Sequence, residues 1–196
     1  MESESRSDSG ALTISKMGGE IDVADAPQGA TLSTMGGDIR LGSVGEYAKI
    51  KTMGGNVTVD NAEASVDATT MGGNINLKSV NGAVKATTMG GDITARLAGA
   101  SDQQRNVELT SNGGTITLIV PKDFPMDVHI KLAYTKSANK SFDIIQRAGL
   151  SQRESSDWDT SQGTPRKYIY AEGRVGSGLN HVDIKTINGD VILKQE

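Results

Sequence analysis

Apolar residues recur in this chain in short alternating runs, and the runs themselves recur every 18 residues. Met17, Met35, Met53, Met71 and Met89, each followed by Gly-Gly, serve as position zero of five units. Position four then holds Ile21, Ile39, Val57, Ile75 and Ile93, and position six holds Val23, Leu41, Val59, Leu77 and Ala95. Position nine holds Ala26, Val44, Ala62, Val80 and Ala98. Position thirteen holds Ala30, Ala48, Val66 and Val84, and position fifteen Leu32, Ile50, Ala68 and Ala86. Polar residues such as Arg40, Thr58, Lys49 and Asp67 stand between them. A period of two over so few residues predicts two short strands per unit, each with one buried face. Gly-Gly and the polar stretches Asp60-Asn61, Lys78-Ser79 and Asn81-Gly82 interrupt the runs as turns do.

One unit is too short to bury its own apolar face, whereas stacked units bury a continuous one. Like side chains then lie over one another at about 4.8 Å, the spacing of paired strands. The predicted fold is all-β: a parallel β-solenoid with 18-residue coils and a longer loop or hairpin insertion toward the C-terminus. Alanine at many inward positions suits a narrow, flattened coil. A third short side near position nine is open, so the pattern allows two faces or three.

The chain reads as one domain, residues 11–196, after a polar tail, residues 1–10, expected to be disordered. Regular coils cover 12–118, an irregular part 119–180 and a closing coil 181–195. Leu12 and Ile14 occupy positions thirteen and fifteen, so the chain enters the solenoid halfway through a coil. That is expected of a domain preceded by more chain, such as a signal or anchor. A terminal coil also exposes unpaired backbone, and self-association through it is an expectation.

After Met89 the spacing slips, and Val107, Leu109, Asn112-Gly113-Gly114, Ile116 and Leu118 fit the template again. Residues around 100–105 are read as a longer loop between coils. Val128 to Leu132 reads as another alternating strand. Residues 152–166 read as a loop separating 142–145 from 168–170, which are expected to pair as longer strands. Val182, Ile184, Thr186, Ile187, Val191 and Leu193 restore the template in what reads as the last coil.

Composition narrows the function. The 196 residues include 24 Gly, 4% aromatics and no Cys, which suits a thin core with many turns and excludes disulfides and thiolate metal sites. A net charge of -4 with both signs interspersed argues against a nucleic-acid partner. No apolar run is long enough for a transmembrane segment, and no signal peptide is present in these residues.

Several motifs together resemble a known family. They are TMGGDI at 34–39 and 88–93, SNGGTITL at 111–118, VPKDFPMDVHI at 120–130 and GSGLNHVDIKTINGDVIL at 176–193. These are similar to the bacterial adhesin-type domains of the DUF4097, or toast-rack, family over roughly residues 12–195. The resemblance implies a non-enzymatic β-solenoid of the bacterial cell envelope, extracytoplasmic in the periplasm, at the cell surface or secreted. Some relatives are linked to envelope-stress regulation. The regular Met at each corner and the long insert after Leu132 depart from the family pattern.

Candidate chemistry is sparse. The Met column could hold a soft metal, since thioethers bind Cu(I), but a flexible apolar side chain filling a coil corner is the favoured reading. Gly18, Gly36, Gly54, Gly72 and Gly90 complete those corners. Thr34, Thr52, Thr70, Thr88 and Thr186 fall on the inward parity, as a hydroxyl ladder bonded along the stack. Glu20, Asp38, Asn56, Asn74, Asp92 and Asp190 follow Gly-Gly; turn chemistry is favoured there over calcium. His129 and His181 are read as surface residues, too few and too distant in sequence for a ligand set. No metal, cofactor or catalytic residue is therefore expected. Trp158 is the one candidate contact, either stacking on a sugar or partner, or folding back over the end of the solenoid.

The expected function is a non-enzymatic interaction protein of the cell envelope, an adhesin type that binds a surface polymer or a protein partner. One alternative is an envelope-stress sensing module acting through residues 133–166. Another is a polysaccharide-active β-helix enzyme, which needs carboxylates converging on one groove; Asp22, Asp25 and Asp67 do not repeat coherently enough to supply them.

Overall fold

Each unit's alternation becomes two strands, one in each of two facing sheets. A computed structural model describes residues 2–6, 10–99, 104–138, 141–161 and 163–196, with side chains from residue 10 onward. In chain order the strands are β1 (Glu2–Arg6), β2 (Leu12–Lys16), β3 (Ile21–Ala26), β4 (Ala30–Thr34), β5 (Ile39–Val44) and β6 (Ala48–Lys51). Then come β7 (Val57–Ala62), β8 (Val66–Thr69), β9 (Ile75–Val80), β10 (Val84–Thr88), β11 (Ile93–Leu97), β12 (Val107–Ser111) and β13 (Ile116–Val120). The irregular part supplies β14 (Met126–Thr135), β15 (Ile144–Gln146), β16 (Ser151–Glu154) and β17 (Arg166–Val175), before β18 (Asn180–Ile187) and β19 (Val191–Gln195). The first sheet runs β1-β2-β4-β6-β8-β10-β12-β18-β14-β17-β16, and the second runs β15-β19-β13-β11-β9-β7-β5-β3. Among the described residues no helix is long and apolar enough to cross a membrane.

The repeat sets the register. Ile39 pairs with Val57, and Val57 with Ile75, Ile75 with Ile93, and Ile93 with Ile116, so one apolar column runs through the stack. Ala48, Val66, Val84 and Val107 form the matching column of the first sheet. Both columns are buried, and the core is the thin layer between the two inner faces. The number of faces is two. The third side is a bend within the strands of the second sheet, where two successive outward residues bring Ala26, Val44, Ala62 and Val80 back inward. In the fifth unit Leu97 fills that place one residue early, across a register shift, and Ala98 does not.

The corners are closed by hydrogen bonds between coils. The Thr column is buried, and each hydroxyl donates to the carbonyl of the second glycine one coil back: Thr52 to Gly37 at 2.9 Å, Thr70 to Gly55 at 2.8 Å and Thr88 to Gly73 at 2.9 Å. The same oxygen accepts from the second glycine's N–H in its own coil, as Gly73 to Thr70 at 3.3 Å. Ser111 and Thr186 continue the ladder onto Gly91 and Gly114. The Asp/Asn column caps the opposite side of the corner. The Asn56 N–H donates to Asp38 Oδ1 at 2.7 Å, Asn74 to Asn56 at 2.9 Å and Thr115 to Asp92 at 2.7 Å. Turn chemistry thus employs the oxygens that a calcium site would need.

The Met column departs from its expected packing role. Met17, Met35, Met53, Met71 and Met89 are 43% to 65% exposed and form an outward stripe. At Met35, Met53, Met71 and Met89 the side chain leaves the coil because the buried Thr before it already fills the corner's interior.

The C-terminal part closes the solenoid by an interleaved route. β13 leads to β14, which leaves a strand's width beside β12; β18 later fills it, parallel to both. The coil expected to be last is therefore next to last in space, with β15 stacked beyond β19. Residues 142–145 and 168–170 do not pair with each other. Ile144–Gln146 joins the second sheet, while β17 runs antiparallel to β14 from Met126–Val175 to Thr135–Arg166. The segment read as a loop contributes β16, antiparallel to β17. Phe124, fully buried, plugs the turn before β14, and Asn180 ties that turn down through Pro125 O at 2.7 Å and the Arg105 N–H at 2.7 Å. Of the loop expected near 100–105, residues 100–103 lie outside the described residues.

The expected disordered tail is also partly a strand. β1 runs antiparallel to β2, with Glu2 opposite Lys16 and Arg6 opposite Leu12. It covers backbone groups that the half coil at β2 would otherwise leave unpaired.

Candidate functional site

Outward positions of the first sheet form rows across the strands, because each strand alternates and all are in register. One row reads Tyr170, Lys131, Lys185, Thr110, from β17 through β14 and β18 to β12. Next to it Tyr168 lies opposite Ala133, and Arg166 opposite Thr135. Of these, Lys131, Lys185, Thr110, Tyr168, Ala133 and Arg166 line a depression of ≈ 250 Å³. Three cations and an aromatic face thus surround one shallow hollow.

Cations in and beside the hollow are held by aromatic faces and single acids. Lys131 Nζ sits 4.5 Å from the Tyr168 ring centroid, and the Arg153 guanidinium 4.2 Å from that of Tyr170. Lys185 pairs with Asp183 at 3.0 Å. Arg166 Nε is buried with no hydrogen-bond partner among the described residues. The Tyr168 hydroxyl donates to Asp159 Oδ2 at 3.1 Å, and burial, followed by this acceptor, raises its pKa above the ordinary phenol value.

Trp158 lies on the loop between β16 and β17 and is 36% exposed. Beside it Asp159 and Arg166 exchange backbone bonds of 2.8 and 2.9 Å, and Asp159 Oδ1 accepts from the Ser161 N–H at 2.9 Å. The side-chain and backbone bonds from Ser161 are the leading causes that lower the Asp159 pKa. Trp158 meets the Tyr134 ring edge-on, with centroids 5.7 Å apart, and Lys167 lies 5.6 Å from the indole. Tyr134 donates to Glu154, and chiefly through that bond its pKa is pushed up to about 12. By strand parity Tyr134 and Lys167 face opposite to Lys131, Tyr168 and Tyr170. The hairpin therefore carries an aromatic pair with cations on each of its two faces. Tyr134 shares the inward parity of Ile130 and Leu132 and packs against the core, so Trp158 meets the hairpin on its core-facing side.

The remaining candidates are dispersed. The Met and first-glycine corners lie along the regular coils, away from the hairpin. Asp22 and Asp25 are on β3 in the second sheet, and Asp67 is on β8 in the first. His129 and His181 are exposed, as expected, but not apart: their ring centroids are 5.4 Å from one another. Lys131, Arg166, Tyr168 and Lys185 escaped sequence reasoning because no repeat marks them. The available signal was clustering: Trp158 and three of the chain's 4 Tyr fall within residues 134–170.

Comparison with curated proteins and with solved structures gives no match. The family model described as Toastrack DUF4097 matches residues 5–194, which includes the corners, the Phe124 plug and the closing coil. The chain belongs to the Toastrack DUF4097 family.

Proposed function

We propose that this protein is a non-enzymatic interaction module of the bacterial cell envelope, acting outside the cytoplasm, that binds an anionic surface polymer. The observation that carries this reading is the hollow beside Tyr168. A sugar ring stacks on an aromatic face, and carboxylates or phosphates along a polymer take charge-assisted bonds from Lys131, Lys185 and Arg166. Arg166 lines the hollow as a third positive charge for such a group. A rigid sheet supports all four side chains, so little ordering entropy is lost on binding.

A retention assay against isolated cell-wall polymers and a glycan panel, with released sugar measured in the same samples, tests this. Retention of acidic polymers without sugar release is expected. It should fall about tenfold or more in Arg166→Gln/Tyr168→Ala, a loss of roughly 1.4 kcal/mol or more. Retention should also weaken as salt rises. Released sugar would overturn the non-enzymatic reading. The opposite face of the hairpin favours a second reading, a regulatory module meeting a protein partner through Trp158 and Tyr134. Partner capture that survives Arg166→Gln/Tyr168→Ala but is lost in Trp158→Ala would favour it.

A further inference from the structure

The chain's only two histidines lie 52 positions apart in sequence and end on adjacent strands. The cause is the late insertion of β18 beside β14. Asp127 and His129 share the outward parity of β14, and His181 stands directly opposite Asp127 on β18. One ligand atom from each of the three lies within 4.8 Å of the others. His129 Nε2 is already 3.6 Å from Asp127 Oδ1. Two donors bound to one tetrahedral zinc are about 3.4 Å apart, so modest side-chain rotation closes the set.

We propose that Asp127, His129 and His181 form a surface site for a divalent transition-metal ion of the zinc class. Two imidazoles and one carboxylate match the donors zinc takes when it keeps a position open to solvent, and they disfavour Mg²⁺ and Ca²⁺, which select oxygen. The surroundings support a cation. Asp183 and Glu172 stand opposite His129 on either flank. Their charges are shared with Lys185 and Arg153, which reach them at 3.0 and 3.6 Å. Arg174 approaches Asp127 Oδ2 at 3.8 Å, which leaves Oδ1 on the histidine side. The site lies at the far end of β14 from Tyr168, so it stands independently of polymer binding.

The test is titration of the full chain with Zn²⁺ by calorimetry and with Co²⁺ by visible absorption, alongside imidazole NMR signals, of which the chain has one pair. The expected result is one ion per chain, with both imidazoles shifting together. Affinity should fall about tenfold or more in His129→Ala, in His181→Ala and in Asp127→Asn. All three positions are at the surface, so the variants should keep the circular dichroism of the parent. Zinc binding unchanged in His129→Ala/His181→Ala would overturn the proposal. So would a shift of only one imidazole, or equal competition by Ca²⁺.

Discussion

At each corner two adjacent glycines have different jobs. A methyl group on Gly73 would stand 2.0 Å from the Gly55 carbonyl oxygen, and the same clash recurs at Gly37, Gly55 and Gly91. A methyl on Gly72 would meet nothing closer than 3.7 Å. The close approach is what lets Thr70 reach Gly55 O while accepting from Gly73. Gly73→Ala should therefore cost about 2 kcal/mol or more, whereas Gly72→Ala should stay within about 0.5 kcal/mol, both read from urea unfolding midpoints. Equal losses would mean that turn flexibility, not contact distance, selects glycine. Met53 gives a companion expectation. Because it is 43% exposed, Met53→Gln should leave stability within about 0.5 kcal/mol, while truncating a fully buried inward residue, Leu77→Ala, should cost roughly 2–5 kcal/mol.

At the scale of elements, the hairpin from β16 to β17 depends on polar bonds more than on the core. Asp159 has its carboxyl pKa held down mainly by Ser161, with Tyr168 adding to it. A depressed folded-state pKa means the contribution is present above the unfolded value and is lost as pH falls through the folded one. Trp158, the chain's only tryptophan, is the neighbouring residue and reports this directly. Its emission should change in acid with a midpoint below about 3.9, the ordinary aspartate value, and Asp159→Asn should abolish that step while the solenoid's circular dichroism persists. A transition unchanged in the variant would assign the step to another group. This is also where sequence legibility ends. The regular coils were readable because identical offsets force identical register, so Ile39, Val57 and Ile75 could be stacked on paper. The order of β14, β17 and β18 was not, because a strand of Val128 and Ile130 pairs equally well with any alternating neighbour. Only the long-range choice to insert β18 beside β14 brings His129 to His181 and Lys131 to Lys185. The Met column failed for a local reason: the pattern shows that Met recurs at position zero, but not that the threonine before it has already filled the corner.

For the whole molecule the question is what keeps a stack of strands from growing at its ends. The first sheet ends at β1 and β16, whose sequences ESESR and SQRE are polar or charged throughout, and the second ends at β15, only three residues long, and at β3. β3 is the exception, six residues with a buried inner face of Ile21, Val23 and Ala26 and no partner on its outer side among the described residues. It is the route by which a terminal coil could pair with a second copy. Asp22 and Asp25 are both exposed on it, and two such edges brought together would set carboxylates against carboxylates. The chain is therefore expected to scatter light as a monomer near neutral pH, and Asp22→Asn/Asp25→Asn to associate as concentration rises. Since Asp22 and Asp25 do not support the core, the variant should unfold at an unchanged urea midpoint when dilute. Were it to remain monomeric at the concentrations where solenoid edges pair, the protection would lie in the twist of β3 or in the chain beside it, and not in these two charges.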